Sequence, residues 1–171
     1  MKVSIAVIAG IAIVAAGAAL AQTQALPHQK PGLWQQSFSS GTTKISDQVC
    51  LDAASEAKLS AFGSQMQNKL CASQTVNRTG ANSWSVISVC ELKPGSKTTT
   101  HVAITGDFNS KFTAVMSVTT AGAPLDTVRN TQQTVFTTTW LGPCKQGQRG
   151  GDVIMSNGVK VNVLDATKAS P

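Results

Sequence analysis

The sequence is poor in the residues that usually carry out chemistry. Its 171 residues include only two histidines and eight acidic residues, and charged residues make up 13% of the chain. A metal site needs several His, Cys, Asp or Glu ligands at clustered spacing. Here the acidic residues are dispersed and form no D-x-D or H-x-x-x-H motif. We therefore expect neither a metal ion nor a cofactor.

Recognisable catalytic motifs are also missing. The sequence has no G-x-S-x-G elbow, and a Ser-His-Asp triad would have to use His28 or His101, near which nothing favours one. The glycine-rich stretch at 147–152 is not a P-loop. We predict that the protein is not an enzyme. The alternative is a hydrolase or isomerase with a hidden site, for example one in which His101 lies close to Asp107 or Glu91.

Tyrosine is absent, and the other aromatic residues are three tryptophans and five phenylalanines. This scarcity argues against a surface on which sugars or bases stack. The formal net charge is +6, but the Lys and Arg residues are scattered singly, whereas a nucleic-acid-binding protein concentrates them on one face. We expect no nucleic-acid partner. The positive charge favours solubility and a weak attraction to anionic surfaces.

The N-terminus is typical of a secretory signal peptide. Lys2 supplies a positive charge, residues 3–20 are apolar and uncharged, and Ala19-Leu20-Ala21 is a small-x-small cleavage site. The alternative is a membrane anchor, because the apolar run is about long enough to span a bilayer. Its many Ala and Gly residues and the cleavage site favour removal. We predict a periplasmic protein without stable membrane insertion after cleavage.

Turn residues recur every eight to fifteen positions between runs rich in Thr, Val, Ser and aromatic residues, as in consecutive antiparallel strands. In several runs apolar residues alternate with Ser or Thr. One face of the sheet should therefore pack against the core, and the other should be exposed to solvent. Strands are predicted at about 32–39, 43–51, 70–78, 83–91, 98–106, 111–120 and 132–141, with a last hairpin at 152–156 and 159–164 turned at Ser156-Asn157-Gly158.

One helix is predicted in the gap between the second and third strands. Asp52 is its N-cap, and Leu59, Phe62 and Met66 form its apolar stripe. The fold class is therefore mainly β: an antiparallel meander forming a curved sheet or half-barrel, with this helix inserted. We divide the chain into a signal peptide (1–21), a flexible segment (22–30), a single disulfide-stapled domain (31–165) and a tail (166–171).

The four cysteines, with no C-x-x-C spacing, predict two disulfides in an exported domain. If Gly80-Ala81 is the turn of a hairpin, opposed residues have numbers that sum to 161, so that Ser73 faces Ser88 and Thr75 faces Val86. Cys71 then faces Cys90, and Cys50 pairs with Cys144. The rival pairing joins Cys50 to Cys71 and Cys90 to Cys144, and a turn one residue longer would favour it.

Several stretches of the sequence resemble an exported bacterial family catalogued as domain of unknown function 3617. The resemblance rests on "PGLW" (31–34), "CLDAASEAK", "SWSVISVC", "TTWLGPC" and "GDVIMSNGVKVNVLD", and it covers about residues 30 to 165. It implies a small exported protein and no known catalytic residues. Gly32-Leu33-Trp34 is also similar to the G-x-W opening of lipocalin-like barrels.

Two functional hypotheses follow. The first is a non-catalytic periplasmic module that binds a small apolar ligand or an envelope partner, with Trp34, Phe112, Met116 and Phe136 either facing the ligand or packed in the core. The second is the hydrolase or isomerase described above. The partner itself is not identified by the sequence.

Cleavage of the leader is testable by mass. The exported protein should begin at Gln22, and its intact mass should equal that of residues 22–171 less four hydrogens for two disulfides. N-terminal sequencing of the periplasmic fraction checks the cleavage site. Finding Met1 on protein held in the membrane would contradict both the cleavage and the predicted location.

Overall fold

A nine-stranded antiparallel sheet forms most of the structure. The computed structural model describes residues 25–59, 71–93, 95–122 and 133–166. The strands are β1 (Gly32–Ser40), β2 (Thr43–Leu51), β3 (Cys71–Gly80), β4 (Ser83–Lys93), β5 (Ser96–Asp107), β6 (Lys111–Ala121), β7 (Thr134–Gly142), β8 (Asp152–Ile154) and β9 (Lys160–Asn162). They lie in the order β3-β4-β5-β6-β7-β1-β2-β8-β9, so the curved sheet stays open and β3 and β9 are its outer strands. The predicted fold class is confirmed.

Two helical segments accompany the sheet in the part of the chain that the structure describes. The first, α1, is helical over 53–59 in the described residues, between β2 and β3 as predicted. Its N-terminus is capped by Asp52, whose carboxylate accepts a hydrogen bond from the Ser55 N–H at 2.7 Å, while the Ser55 hydroxyl accepts one from the Asp52 N–H at 2.9 Å. This reciprocal pair satisfies two backbone donors, and the bond from the Ser55 backbone lowers the pKa of Asp52. The predicted stripe residues Phe62 and Met66 lie outside the described residues.

The second helical segment, α2 (Val163–Ala166), replaces the end of a predicted strand. The last hairpin was expected to continue to residue 164, but β9 ends at Asn162. The Asn162 side-chain oxygen accepts a hydrogen bond from the Leu164 N–H at 3.0 Å and so caps the turn. No helix in the described part of the chain is long and apolar enough to cross a membrane.

The two faces of the sheet differ in chemistry, as the alternation predicted. On the polar face Thr113, Thr137, Ser37 and Ser46 lie side by side across four strands. Hydroxyl oxygens of neighbouring residues on this face are 3.3 Å apart, both between the two threonines and between the two serines. The other face, which we call the apolar face, carries both hydrophobic clusters of the described residues.

The apolar face contains two separate buried clusters. The first comprises Val76, Trp84, Val86, Ile104, Phe108 and Phe112, all no more than 8% exposed. The second comprises Trp34, Val49 and Leu51, against which Leu59 of α1 packs. Helix α1 therefore covers the apolar face beside β1 and β2.

The disulfides join Cys50 to Cys144 and Cys71 to Cys90. This is the hairpin pairing, but the register behind it was wrong. Residues 81–82 form the turn, and a bulge between Arg78 and Gly80 shifts the pairing beyond it by one residue. Val76 therefore faces Val86, and Ser73 and Thr75 face Val89 and Ile87 rather than Ser88 and Val86. The expected register would have turned Val76 to the polar face. A bulge between Cys71 and Ser73 shifts the pairing by one residue and brings Cys71 opposite Cys90.

The two disulfides should contribute unequally to stability. Cys50 and Cys144 are separated by 94 residues, and Cys71 and Cys90 by 19. In the chain-entropy model, replacing both cysteines of the long-range bridge by alanine lowers the free energy of unfolding by about 4–5 kcal/mol, and the same change at the short-range bridge by about 3 kcal/mol. Urea unfolding followed by tryptophan fluorescence measures both. A larger loss at the short-range bridge would show that loop length does not govern the stabilisation.

A buried carboxylate in β8 should make stability depend on pH. The Asp152 side chain is 3% exposed and accepts hydrogen bonds from the Asn162 side chain at 2.8 Å and the Arg149 N–H at 3.1 Å, with Lys160 Nζ 3.3 Å away. These interactions lower the pKa of Asp152, and the hydrogen bond from the Asn162 side chain has the largest effect. An aspartate whose pKa is lower in the folded than in the unfolded protein stabilises the fold. This stabilisation is fully present at pH values above the unfolded-state pKa of about 3.9, and it is lost as the pH falls through the folded-state pKa.

We therefore expect Asp152→Asn to unfold more easily than the wild type at pH 7, with the difference shrinking at acid pH. Denaturant unfolding at several pH values measures the effect. Asp47→Asn is the control, because Asp47 forms no ion pair in the residues that the structure describes. A difference between Asp152→Asn and the wild type that stays constant down to pH 2 would contradict the assignment.

Candidate binding surface

One row of apolar side chains crosses six strands of the apolar face, and exposure increases along it. Its members are consecutive cross-strand partners, namely Trp84, Ile104, Ala114, Phe136, Phe38 and Ile45. Trp84 and Ile104 are buried, Ala114 and Phe136 are half-buried, and Phe38 and Ile45 are 37% and 48% exposed. The row thus passes from the first buried cluster to solvent.

A second row runs beside the first and shows the same trend over fewer strands. Val76 and Val86 are buried, whereas their neighbours Val102 and Met116 are half-buried. Thr134, opposite Met116, ends the apolar part of this row and donates a hydrogen bond to the Ser40 hydroxyl at 3.2 Å. We call the four half-buried residues of the two rows, Val102, Ala114, Met116 and Phe136, the central surface.

Aromatic rings support the central surface from one side. Phe112 stacks on Phe108 with ring centroids 4.3 Å apart, and it lies 6.4 Å from both Trp34 and Phe136. The Trp84 and Phe108 rings form a T-shaped pair with centroids 5.3 Å apart. Such tilted and offset contacts are favourable ring geometries. The central surface therefore borders a group of packed aromatic rings.

The segment that precedes β1 is tied to the sheet. Leu26 packs against the first cluster, and the Lys30 N–H donates to the Phe108 carbonyl at 2.9 Å. The Lys30 carbonyl accepts a hydrogen bond from the Trp34 indole at 2.8 Å, and Lys30 Nζ lies 3.6 Å from the centroid of the Trp140 ring. Residues 25–30 belong to the segment expected to be flexible. Nothing in their composition signalled these contacts, which depend on where β5 and β7 lie.

Gly32 explains the "PGLW" opening of the domain. Its φ is +138°, a region that favours glycine, and a Cβ at this position would collide with the Trp140 indole nitrogen and the Gly142 carbonyl. The Trp140 indole donates to the Pro31 carbonyl at 3.2 Å. Pro31-Gly32 thus lets β1 approach β7 closely enough for Trp34 to be buried.

The four residues proposed from the sequence as ligand-facing or core lie on the same face but differ in exposure. Trp34 is fully buried and Phe112 is 8% exposed, so both are core residues in this structure. Met116 and Phe136 are half-buried and belong to the central surface. Sequence reasoning missed Phe38 and Ile45 as surface residues. Alternation placed Phe38 on the face of Trp34, but its exposure depends on which elements cover each row.

The two histidines lie in different surroundings. His28 Nδ1 lies 2.7 Å from Glu56 Oε2, and Glu56 Oε1 accepts a hydrogen bond from the Gln29 N–H at 3.0 Å. The His28 side chain is 82% exposed. His101 is exposed on the polar face, opposite Ile87 and Ser117. Among the described residues, both histidines are exposed to solvent.

The acidic partners considered for His101 are engaged elsewhere. Asp107 lies six residues further along the same strand, about 20 Å away. Its carboxylate accepts hydrogen bonds from Ser110 and the Asn109 N–H. These bonds lower the pKa of Asp107, and the bond from the Ser110 side chain has the largest effect. Glu91 accepts a hydrogen bond from the Gly95 N–H at 2.8 Å. Both carboxylates stabilise turns through these hydrogen bonds.

Comparison with known proteins gives one match. No curated protein and no solved structure matches the chain. A family profile matches residues 29–144, which is more than half of the chain and includes β1 to β7 and all four cysteines. The resemblance inferred from the sequence is confirmed: the chain belongs to the family described as "Protein of unknown function (DUF3617)".

Proposed function

We propose that this protein is an exported, non-catalytic binding module that holds a small apolar ligand, such as an aliphatic chain, against the central surface. The observation that carries the proposal is the half-burial of four apolar side chains in the middle of the apolar face. Apolar side chains at the centre of a sheet are normally covered. A ligand lying along the two rows would remove the remaining apolar area from water.

The chemistry of the central surface suits an aliphatic ligand. Val102, Ala114 and Phe136 offer hydrocarbon only, and Met116 adds a flexible thioether side chain that adapts to irregular shapes. The nearest polar group of the second row is the Thr134 hydroxyl, whose proton is directed at Ser40. The central surface therefore provides contact area without charge.

Export is supported by the covalent structure. Disulfides form and persist in oxidising compartments such as the periplasm, and the first residues carry the features of a signal peptide. Apolar ligands derived from the cell envelope are available in that compartment. The proposed ligand is thus of a kind that the protein would meet there.

The binding of dansyl-undecanoic acid, followed by dansyl fluorescence, tests the proposal. We expect saturable binding by the wild type and about tenfold weaker binding by Met116→Gln, because a polar amide would face the hydrocarbon chain. Val115→Gln is the matched control: Val115 is its half-buried neighbour on the opposite face of the same strand. It should leave the affinity unchanged.

Native mass spectrometry of protein purified from the periplasm provides the second readout. A co-purifying small molecule should be lost from Met116→Gln and kept by Val115→Gln. Equal effects of the two substitutions would rule out the apolar face as the site. Absence of both probe binding and a co-purifying molecule would overturn the proposed function.

A further inference from the structure

The apolar face also carries one row of polar side chains. Asp47, Gln36 and Thr138 are consecutive cross-strand partners on β2, β1 and β7. Each lies two residues along its strand from a member of the first apolar row, and residues two apart in a strand project from the same face. We call these three residues the polar row. It runs beside the exposed half of the first apolar row.

The polar row lacks partners in the part of the chain that the structure describes. Thr138 is fully buried, and its hydroxyl oxygen forms no hydrogen bond. Side chains that hydrogen-bond Gln36 or Asp47 reach only their backbone carbonyls. The Gln36 amide and the Asp47 carboxylate have no partner among the described residues. Polar groups that are taken out of water without partners cost free energy, so a ligand that pairs with them gains it.

Asp47 differs from the other acidic residues of the sheet. The strands contain four acidic residues, namely Asp47, Glu91, Asp107 and Asp152. The other three project from the polar face, and each accepts hydrogen bonds from nearby donors. The neighbouring lysines Lys44 and Lys160 also project from the polar face, and Lys160 is paired with Asp152. Asp47 therefore places a negative charge beside apolar side chains without a cation from the described residues.

One ligand can contact both the polar row and the central surface. Asp47 and Gln36 are half-buried, so they are accessible from solvent. Ala114 on β6 and Asp47 on β2 are separated by three strand spacings, about 14 Å. An extended chain of about twelve carbons covers this distance. Along β2 the polar row is only about 7 Å from the first apolar row.

We propose that the polar row binds the head group of the ligand and that this head group is a cationic amine. The ammonium group pairs with the Asp47 carboxylate and donates a hydrogen bond to the Gln36 side-chain oxygen, and such charge-assisted bonds are strong. Gln36 Nε2 in turn donates to the Thr138 hydroxyl, which is within reach because the two residues are cross-strand neighbours. The aliphatic chain lies along the first apolar row onto the central surface.

This inference rests on the proposed ligand binding and names the class of ligand, a long-chain primary amine. A carboxylate or phosphate head group at the same place would be repelled by Asp47. The preference is therefore opposite to the one that the whole protein would impose, because its net charge of +6 attracts anions.

Competition against bound dansyl-undecanoic acid tests the head-group assignment. Dodecylamine and dodecanoate share one aliphatic chain and carry opposite charges at pH 7, and each is titrated below its critical micelle concentration. We expect the wild type to bind dodecylamine about tenfold more tightly than dodecanoate. Asp47→Asn should abolish this preference, and Asp47→Lys should reverse it.

Two variants serve as controls. Glu91→Gln removes one negative charge from an exposed residue on the polar face, so it should leave the preference unchanged. Met116→Gln should weaken both competitors alike, because it alters the surface under the chain and not the head group. Thermal unfolding confirms that each variant is folded.

The proposed ligand binding and the head-group assignment fail in different ways. If the wild type binds neither the probe nor the two competitors, the ligand binding is wrong and the assignment falls with it. If both competitors displace the probe with equal affinity, or if Asp47→Asn changes the preference no more than Glu91→Gln does, the ligand binding stands and the head-group assignment is overturned.

Discussion

The burial of Trp34 is the interaction on which the rest of the structure depends. Its ring forms the second cluster with Val49 and Leu51 and reaches the first cluster through Phe112, 6.4 Å away. Its indole N–H donates a hydrogen bond to the Lys30 carbonyl. One fully buried side chain thus joins β1 and β2 to the aromatic layer of the sheet and to the segment that precedes β1. Because a buried tryptophan removes a large apolar area from water, it outweighs any single polar contact in this region.

The open sheet leaves the apolar face unequally covered. The segment at 25–31 and helix α1 lie against two parts of it, where the clusters form. The row from Trp84 to Ile45 becomes more exposed as it leaves the first cluster. Phe136 of the central surface is the direct partner of the exposed Phe38. The central surface is therefore continuous with exposed apolar side chains at the end of the row.

Three aspartates in the described residues have structural roles. Asp52 caps α1, Asp107 holds the β5–β6 turn, and Asp152 fixes the start of β8. Each carboxylate accepts hydrogen bonds from nearby donors, which lower its pKa. Carboxylates held in this way stabilise turns and helix ends in their charged form.

The sequence by itself determined the strands, the polar and apolar faces and the cap of α1, because these follow from local alternation and turn chemistry. It narrowed the disulfides to two pairings but misjudged the register that led to one of them. The position of the turn and the two bulges in β3 are not encoded locally, and the chain adopts the register that buries Val76 opposite Val86. Only the tertiary structure decided the exposure of Phe38, Ile45 and Met116 and the contacts of residues 25–31. Each depends on which strand lies beside which, and strand order is set by packing over the whole chain rather than by any short segment.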